Sequence, residues 1–531
     1  MIKNTLFILF CFFSLPCLAL LSSKDLTLEE KVGQILIVHF HGDTLTPDAN
    51  TLIKTLHVGG IIYYTWANGL TSPSQVSHLS ASLQHLAKIP LLICTDQEGG
   101  PLNRLSQGFT LLPSNKAVGM TGNPLLAEEC AFAIGQELLS VGINMNLAPV
   151  VDINSHPRNP IIGVRSFGST PEIVTQFGEK ALKGYHKAGL ITSLKHFPGH
   201  GDVSVDSHEE LPILNKTLEA LKAHELLPFA SLAKDSDTIM TAHIKVPALD
   251  PLHCATLSKP ILTLLRQEVG FKGVILSDSL IMKALFTEHS SIEQIAIHAF
   301  NAGCDMLILG GKLFLESDPH DELTLQDVVR IHQSLIQAVK QGVISEARLN
   351  EAVDRILALK STYLLSPLHK KELISFSEHE DLANTVAAAA LRMEKYSLPY
   401  SLSVKDSTIT IYAPTIVKKA LQTSSFLTSH PSLSTALFTF SELTEEENKN
   451  ALQLAKASDL LLFFSYNAWK SPPQQMLIQE LLNIKKPFIL VALRDPLDIE
   501  LFPSSDVLMT TFDPTPCSIK AVYNCLIERN P

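Results

Sequence analysis

Residues 190–208 read LITSLKHFPGHGDVSVDSH. The first part is mostly apolar, as a buried strand is. The rest is a glycine-bearing loop, and from Lys195 to His208 it collects Lys195, His196, His200, Asp202, Asp206 and His208. A strand that runs into a loop of ionisable groups is where catalytic side chains are commonly carried. Imidazoles that titrate near neutrality are seldom concentrated in a loop that only shows polarity to water.

The same unit recurs. Apolar runs stand at 34–40 (QILIVHF), 59–64 (GGIIYY), 90–96 (PLLICTD), 144–150 (NMNLAPV), 190–197 (LITSLKHF), 238–244 (TIMTAHI), 273–278 (GVILSD) and 305–310 (DMLILG). Each is short and apolar on both faces, the signature of a buried parallel strand. Helices fit between them. Asn123-Pro124 opens one that Gly142 closes, and Thr170-Pro171 opens another that Gly189 closes, with proline in the first turn and glycine past the end. Stretches 291–301 and 325–340 are amphipathic. Eight such units predict an α/β fold, a (β/α)8 TIM-type barrel over 24–370. An open doubly wound sheet is the structural alternative. The barrel predicts that functional groups gather at the C-terminal ends of the strands, where Asp96, His196, His243 and Asp278 fall.

The texture changes after Tyr363. A polar, proline-bearing connection at 366–371 leads to a smaller α/β domain over 371–531, expected to be a three-layer sandwich. Its predicted elements are helices at 381–395 and 445–457 and strands at 408–413, 459–466 and 487–492. It carries no nucleophile motif and no phosphate loop, so it reads as support or as a wall for the cleft.

At 531 residues, two domains are expected. A net charge of -11 argues against nucleic acid as a main partner. Residues 1–23 read as a signal peptide: Lys3, an apolar stretch over 6–21 too short for the ~20 residues of a spanning helix, and small residues around Cys17-Leu18-Ala19. Lipidation at Cys17 is the second reading, weakened by Pro16, and an uncleaved anchor the third. All three place the protein outside the cytoplasm, in the periplasm or cell envelope. No CxxC occurs, Cys94 and Cys304 read as core thiols, and Cys517 and Cys525 are ~12 Å apart if the segment after Pro516 is helical, too far for a disulfide.

Three more stretches are dense in functional groups: Asp96-Gln97-Glu98-Gly99-Gly100 followed by Arg104, NPIIGVRSFG at 159–168, and GVILSDSLIM at 273–282. With KHFPGHG and DSH in 195–208, they make the chain resemble glycoside hydrolase family 3, in its bacterial β-N-acetylglucosaminidase branch of two-domain type. The resemblance implies a retaining exo-glycosidase with Asp278 as nucleophile and His208 as proton donor, partnered by Asp206. It implies sugar contacts from Asp96, Arg104, Arg165, Lys195 and His196, with no metal and no cofactor. It implies terminal β-N-acetylglucosamine on cell-wall-type, peptidoglycan-derived glycans as substrate.

The chemistry suits these residues. Retention needs a nucleophilic carboxylate on one face of the sugar and a proton donor on the other. An imidazole gives and takes protons at neutral pH without heavy tuning, and a carboxylate two residues away can hold its tautomer. Carboxylates accept from sugar hydroxyls and cations donate to them; rim salt bridges are the other reading of Arg104 and Arg165. Two positions depart from the family pattern: Pro101 stands where Arg commonly follows DQEGG, and Ser279 stands where Asp commonly follows the nucleophile. His200 and Asp202 read as shapers of the turn, and Gly199 and Gly201 as giving the loop freedom.

A metal-dependent hydrolase is the alternative enzyme, with ligands from His196, His200, His208, Asp202 and Asp206. Against it, Pro198-Gly199 keeps His196 and His200 off one helix face, and the first run, bounded at Phe40, ends without a His-x-His pair. A non-catalytic sugar-binding envelope protein is the third reading.

Overall fold

The computed structural model describes residues 22–205, 211–287, 289, 291–312, 322–364, 375–398, 407–424, 433–438 and 444–529. The expected acid–base pair Asp206 and His208, the leader with Cys17, and the connection at 366–371 lie outside them.

All eight apolar runs contain strands: β1 Leu36–Val38, β2 Gly60–Ile62, β3 Leu92–Thr95, β4 Met145–Asn146, β5 Ser193–Phe197, β6 Thr238–Thr241, β7 Val274–Leu276 and β8 Leu307–Ile308. All neighbours are parallel. One sheet has the order β8-β1-β2-β3-β4 and the other β7-β6-β5, with registers such as Ile37 opposite Gly60 and Ile61 opposite Ile93. Single parallel bridges join the two sheets at both ends, Met145 to Ile191 and Leu276 to Met306. The strands are shorter than the runs because ladder pairing covers only part of each. Beyond the C-terminal ends the chain turns into loops and short elements, such as the antiparallel pair Gln97–Gly99 and Leu102–Asn103 after β3.

The helices between strands start and stop where local chemistry directs. Pro171–Ala188 is capped by Thr170, whose hydroxyl accepts from the Ile173 N–H, and ends at Gly189 with φ +90°. Pro124–Ser140 is capped by Asn123. Among the described residues no helix is long and apolar enough to cross a membrane, and the six described cysteines are free.

The second unit is a six-stranded sheet. Its strands are β9 Arg392–Tyr396, β10 Ile409–Pro414, β11 Leu433–Phe438, β12 Leu460–Ser465, β13 Phe488–Ala492 and β14 Val507–Thr510, in the order β9-β14-β13-β12-β10-β11. Only the β9–β14 pairing is antiparallel. Alternate residues enter two apolar clusters, one per face: Leu460, Leu462 and Phe464 on one side, Leu461 and Phe463 on the other. A sheet buried on both faces explains the continuous apolar strands.

The helix expected at 381–395 instead spans Phe376–Ala390, and Arg392–Tyr396 is strand β9. The alanine run that favours helix stops at Ala390, and the chain beyond it pairs with β14. Ala383 and Val386 of that helix bury in the core of the first unit, so the helix fastens the two units together.

Candidate active site

A cavity of about 530 Å³ opens at the C-terminal ends of the strands of the first unit. Asp96, Arg104, Arg165, Lys195, His196 and Asp278 all line it. Asp96 follows β3 directly, Lys195 and His196 lie within β5, and Asp278 lies two residues beyond β7.

The floor is a chain of alternating charges. Lys195, only 1% exposed, places Nζ 2.9 Å from Asp96 Oδ1 and 2.5 Å from Glu98 Oε1. Arg165 grips Glu98 with Nε and Nη2, each at 2.8 Å, the bidentate geometry that suits a guanidinium to a carboxylate. Arg104 Nη2 stands 3.6 Å from Asp96 Oδ2, and its guanidinium lies 5.4 Å from the centre of the Tyr64 ring. Burial alone pushes the carboxyls of Asp96 and Glu98 up. Lys195 with Arg104 at Asp96, and Arg165 with Lys195 at Glu98, outweigh it and hold both below the usual range. The two readings of Arg165 merge: it is a buried ion pair and a wall of the cavity.

His196 is oriented from behind. Its Nδ1 lies 2.7 Å from Asp152 Oδ2, while Asp152 Oδ1 accepts from the His196 N–H at 3.1 Å and the His200 N–H at 2.7 Å. Asp152 is fully buried. The other ring nitrogen, Nε2, stands 3.4 Å from Arg165 Nη2. His200 also lines the cavity, and burial pushes its imidazole down to about 4, against the pull of Asp152.

Asp278 Oδ1 accepts from the Ser279 N–H at 2.6 Å. Ser279 is itself fixed: its hydroxyl donates to the Gly310 carbonyl at 2.5 Å, and His243 Nε2 lies 2.8 Å from its carbonyl oxygen. His243 shares the strand-end position but is buried and does not line the cavity. Pro101 does line it. Asp202 pairs with Lys216 at 2.5 Å, a role in shaping the loop. At Gly201 the structure gives a different reason for glycine than loop freedom: a Cβ there would sit 1.8 Å from the Ile153 carbonyl oxygen.

Sequence reasoning missed Glu98 and Asp152, which hold the cations and His196, and Tyr466 and Arg494, which line the cavity from the second unit. Glu98 stood in view inside DQEGG without a role. Asp152 lies two residues beyond the fourth run, which stops at Val150. The first run, bounded at Phe40, likewise stops one residue short of His41. His39-Phe40-His41 is a His-x-His pair at the end of β1, which corrects the expectation that none stands there.

The model of the glycosyl hydrolase family 3 N-terminal domain matches residues 27–359. Beta-hexosaminidase A of Pseudoalteromonas piscicida is 35% identical over 378 residues, 63% of this chain and 61% of that protein, so the chain spans less than two thirds of that relative. A beta-hexosaminidase of Pseudomonas aeruginosa is 35% identical over 272 residues, 51% of this chain and 80% of that protein. The solved structure of a glycoside hydrolase family 3 beta-N-acetylglucosaminidase from a Paenibacillus species superposes with a TM-score of 0.85 at 33% identity, covering 95% of this chain and 97% of that one. A family match across most of the first unit, with the motif residues gathered round one cavity, means that the chain belongs to glycoside hydrolase family 3.

Proposed function

We propose that the protein is a retaining exo-β-N-acetylglucosaminidase that removes terminal non-reducing N-acetylglucosamine from cell-wall-type glycans. The observation that carries this reading is the meeting of Asp278 with Asp96, Lys195, Arg165 and His196 round one cavity. The names of the relatives above support the sugar class.

In this reading the Asp278 carboxylate attacks the anomeric carbon. The glycosidic C–O bond breaks, and the aglycone oxygen takes a proton from His208, whose charge Asp206 stabilises. Water, deprotonated by His208, then attacks the same carbon and releases Asp278. Asp96, Arg104, Arg165, Lys195 and His196 hold the sugar hydroxyls. Lys312 and Arg494 add two cations to the cavity wall, and among the described residues no carboxylate forms an ion pair with either. Such a wall suits an aglycone that bears a carboxylate, as peptidoglycan fragments do.

In the same proposal the two bridged sheets form one (β/α)8 barrel over 24–370, supported by the bridges at Met145–Ile191 and Leu276–Met306. The remainder, 371–531, is a three-layer sandwich, supported by apolar clusters on both faces of its sheet. The leader over 1–23 exports the enzyme to the periplasm or cell envelope.

A panel of aryl glycosides against wild type and Asp278→Ala tests the reading. The β-N-acetylglucosaminide should be cleaved by wild type and not by the variant; full activity in the variant would sink the nucleophile assignment. His208→Ala should slow natural substrates by ~10²–10⁴-fold and activated aryl substrates much less. Equal slowing would remove His208 as the acid.

A further inference from the structure

Beside the catalytic cavity lies a second hollow of about 440 Å³, lined by His39, His41, Asp48 and Glu322 among others. His39 and His41 follow β1, and both reach one carboxylate. His39 Nε2 stands 3.1 Å from Glu322 Oε2, and His41 Nε2 stands 2.7 Å from Glu322 Oε1. One ligand atom from each of the three residues lies within 4.8 Å of the others. Among the described residues this is the one group of three or more such side chains so arranged. The hydrolase reading above makes no use of it.

Two imidazole nitrogens and a carboxylate oxygen are the donor set of zinc-class ions. Metal–ligand bonds of about 2.0–2.2 Å in a tetrahedron put donor atoms roughly 3.3 Å apart. The two imidazole nitrogens now meet different oxygens of the carboxylate, at 3.1 and 2.7 Å, and the three ligand atoms lie within 4.8 Å of one another, so an ion enters by replacing these two hydrogen bonds. The hollow leaves room for a fourth ligand, either water or Asp48.

The position gives such an ion something to act on. The rings of His39 and His41 lie 5.3 and 5.5 Å from Trp66, centre to centre. Trp66 stacks on Tyr64 at 5.2 Å and 19°, and Lys312 Nζ sits 5.3 Å from the Trp66 ring. Trp66, Tyr64 and Lys312 line the catalytic cavity, whereas His39, His41 and Glu322 do not. Glu322 also lies just before the helix Leu325–Lys340.

We propose that His39, His41 and Glu322 form a zinc-class divalent-metal site that ties the end of β1 to the start of that helix and braces the aromatic wall of the catalytic cavity from behind. The ion takes no part in glycoside cleavage in this proposal, so chelator-treated enzyme keeps its chemistry.

The test uses the full chain, stripped with chelator and titrated with Zn²⁺ by calorimetry and with Co²⁺ by visible absorption. Wild type should take up one ion with a Kd of about 1 μM or tighter, and its Tm should rise with saturation. His41→Ala and Glu322→Gln should each weaken binding by at least about 100-fold. The His41 side chain is 56% exposed, so its loss leaves the fold intact, checked by an unchanged Tm in chelator. The chain has two tryptophans, and Trp66→Phe leaves only Trp469. Metal should change the emission of wild type and not of Trp66→Phe. No saturable binding below about 100 μM, or equal binding by His41→Ala and Glu322→Gln, overturns the site. Binding with no change in Trp66 emission overturns the brace.

Discussion

Glu98 carries more of the site than its place in a motif suggests. It is 4% exposed and is the shared counter-charge of Arg165 and Lys195. A buried ion cluster stays ionised only while every charge is matched, and removing one member of such a pair costs about 3–5 kcal/mol. Glu98→Gln should lower unfolding free energy by that order in denaturant titration and cut kcat/KM, because Arg165 would lose its charged partner and Lys195 one of its two. His200 adds a pH dependence. Its imidazole sits at about 4 in the folded chain and near 6.5 when unfolded. Between those values the unfolded chain binds the extra proton, so stability rises with pH by up to about 1.4 kcal/mol per unit. The contribution is complete above about 6.5 and is lost as pH falls towards about 4. His200→Asn should flatten that slope in a stability–pH series, and an unchanged slope would place the titration elsewhere. Asp96, His196 and Asp278 were legible as ionisable groups at the ends of apolar runs. Glu98 and Asp152 were not, because their partners are distant in sequence and only strand order brings them together.

At the scale of elements, what could be read was what local chemistry decides. The helices opened by Asn123-Pro124 and Thr170-Pro171 sit where their caps placed them. The helix expected at 445–457 spans Glu445–Ala457, started by a capping box at Thr444 and Glu447. Strands β9, β11 and β14 were not read. Arg392–Tyr396 is polar and half-buried, and it is a strand only because β14 offers it an edge. The loop after β5 shows the same limit. Gly201 looked like a source of freedom, yet the Ile153 carbonyl packs where a side chain would begin. Gly201→Ala should cost about 1–3 kcal/mol by overpacking, and it should lower activity by shifting the segment that carries His200. A stability within about 0.5 kcal/mol of wild type would show that the Ile153 segment can yield.

The two units act as one body around the cavity. The Ser114 hydroxyl donates to the Phe512 carbonyl at 2.6 Å, His379 Nδ1 lies 2.8 Å from Glu137 Oε1, and Ala117, Val164, Ala390 and Phe512 form a small apolar cluster between the units. From that fixed base the second unit presents Tyr466 and Arg494 to the cavity. Arg494 Nη1 donates to the Tyr466 hydroxyl at 3.1 Å, and the guanidinium lies 5.4 Å from the ring. This gives the second unit a task that its lack of any catalytic motif conceals: it supplies part of the cavity wall. Under the proposed function, the Arg494 cation meets the group attached to the sugar. A hydrogen bond to a charged group contributes about 1.5–3 kcal/mol, so Arg494→Ala should raise KM for a carboxylate-bearing glycan fragment by about 10- to 100-fold. Its kcat should change little, since the interaction is present in ground and transition states alike. On an uncharged aryl β-N-acetylglucosaminide the same variant should keep near-normal constants. A parallel loss on both substrates would mean that Arg494 supports the cavity wall without reading the aglycone.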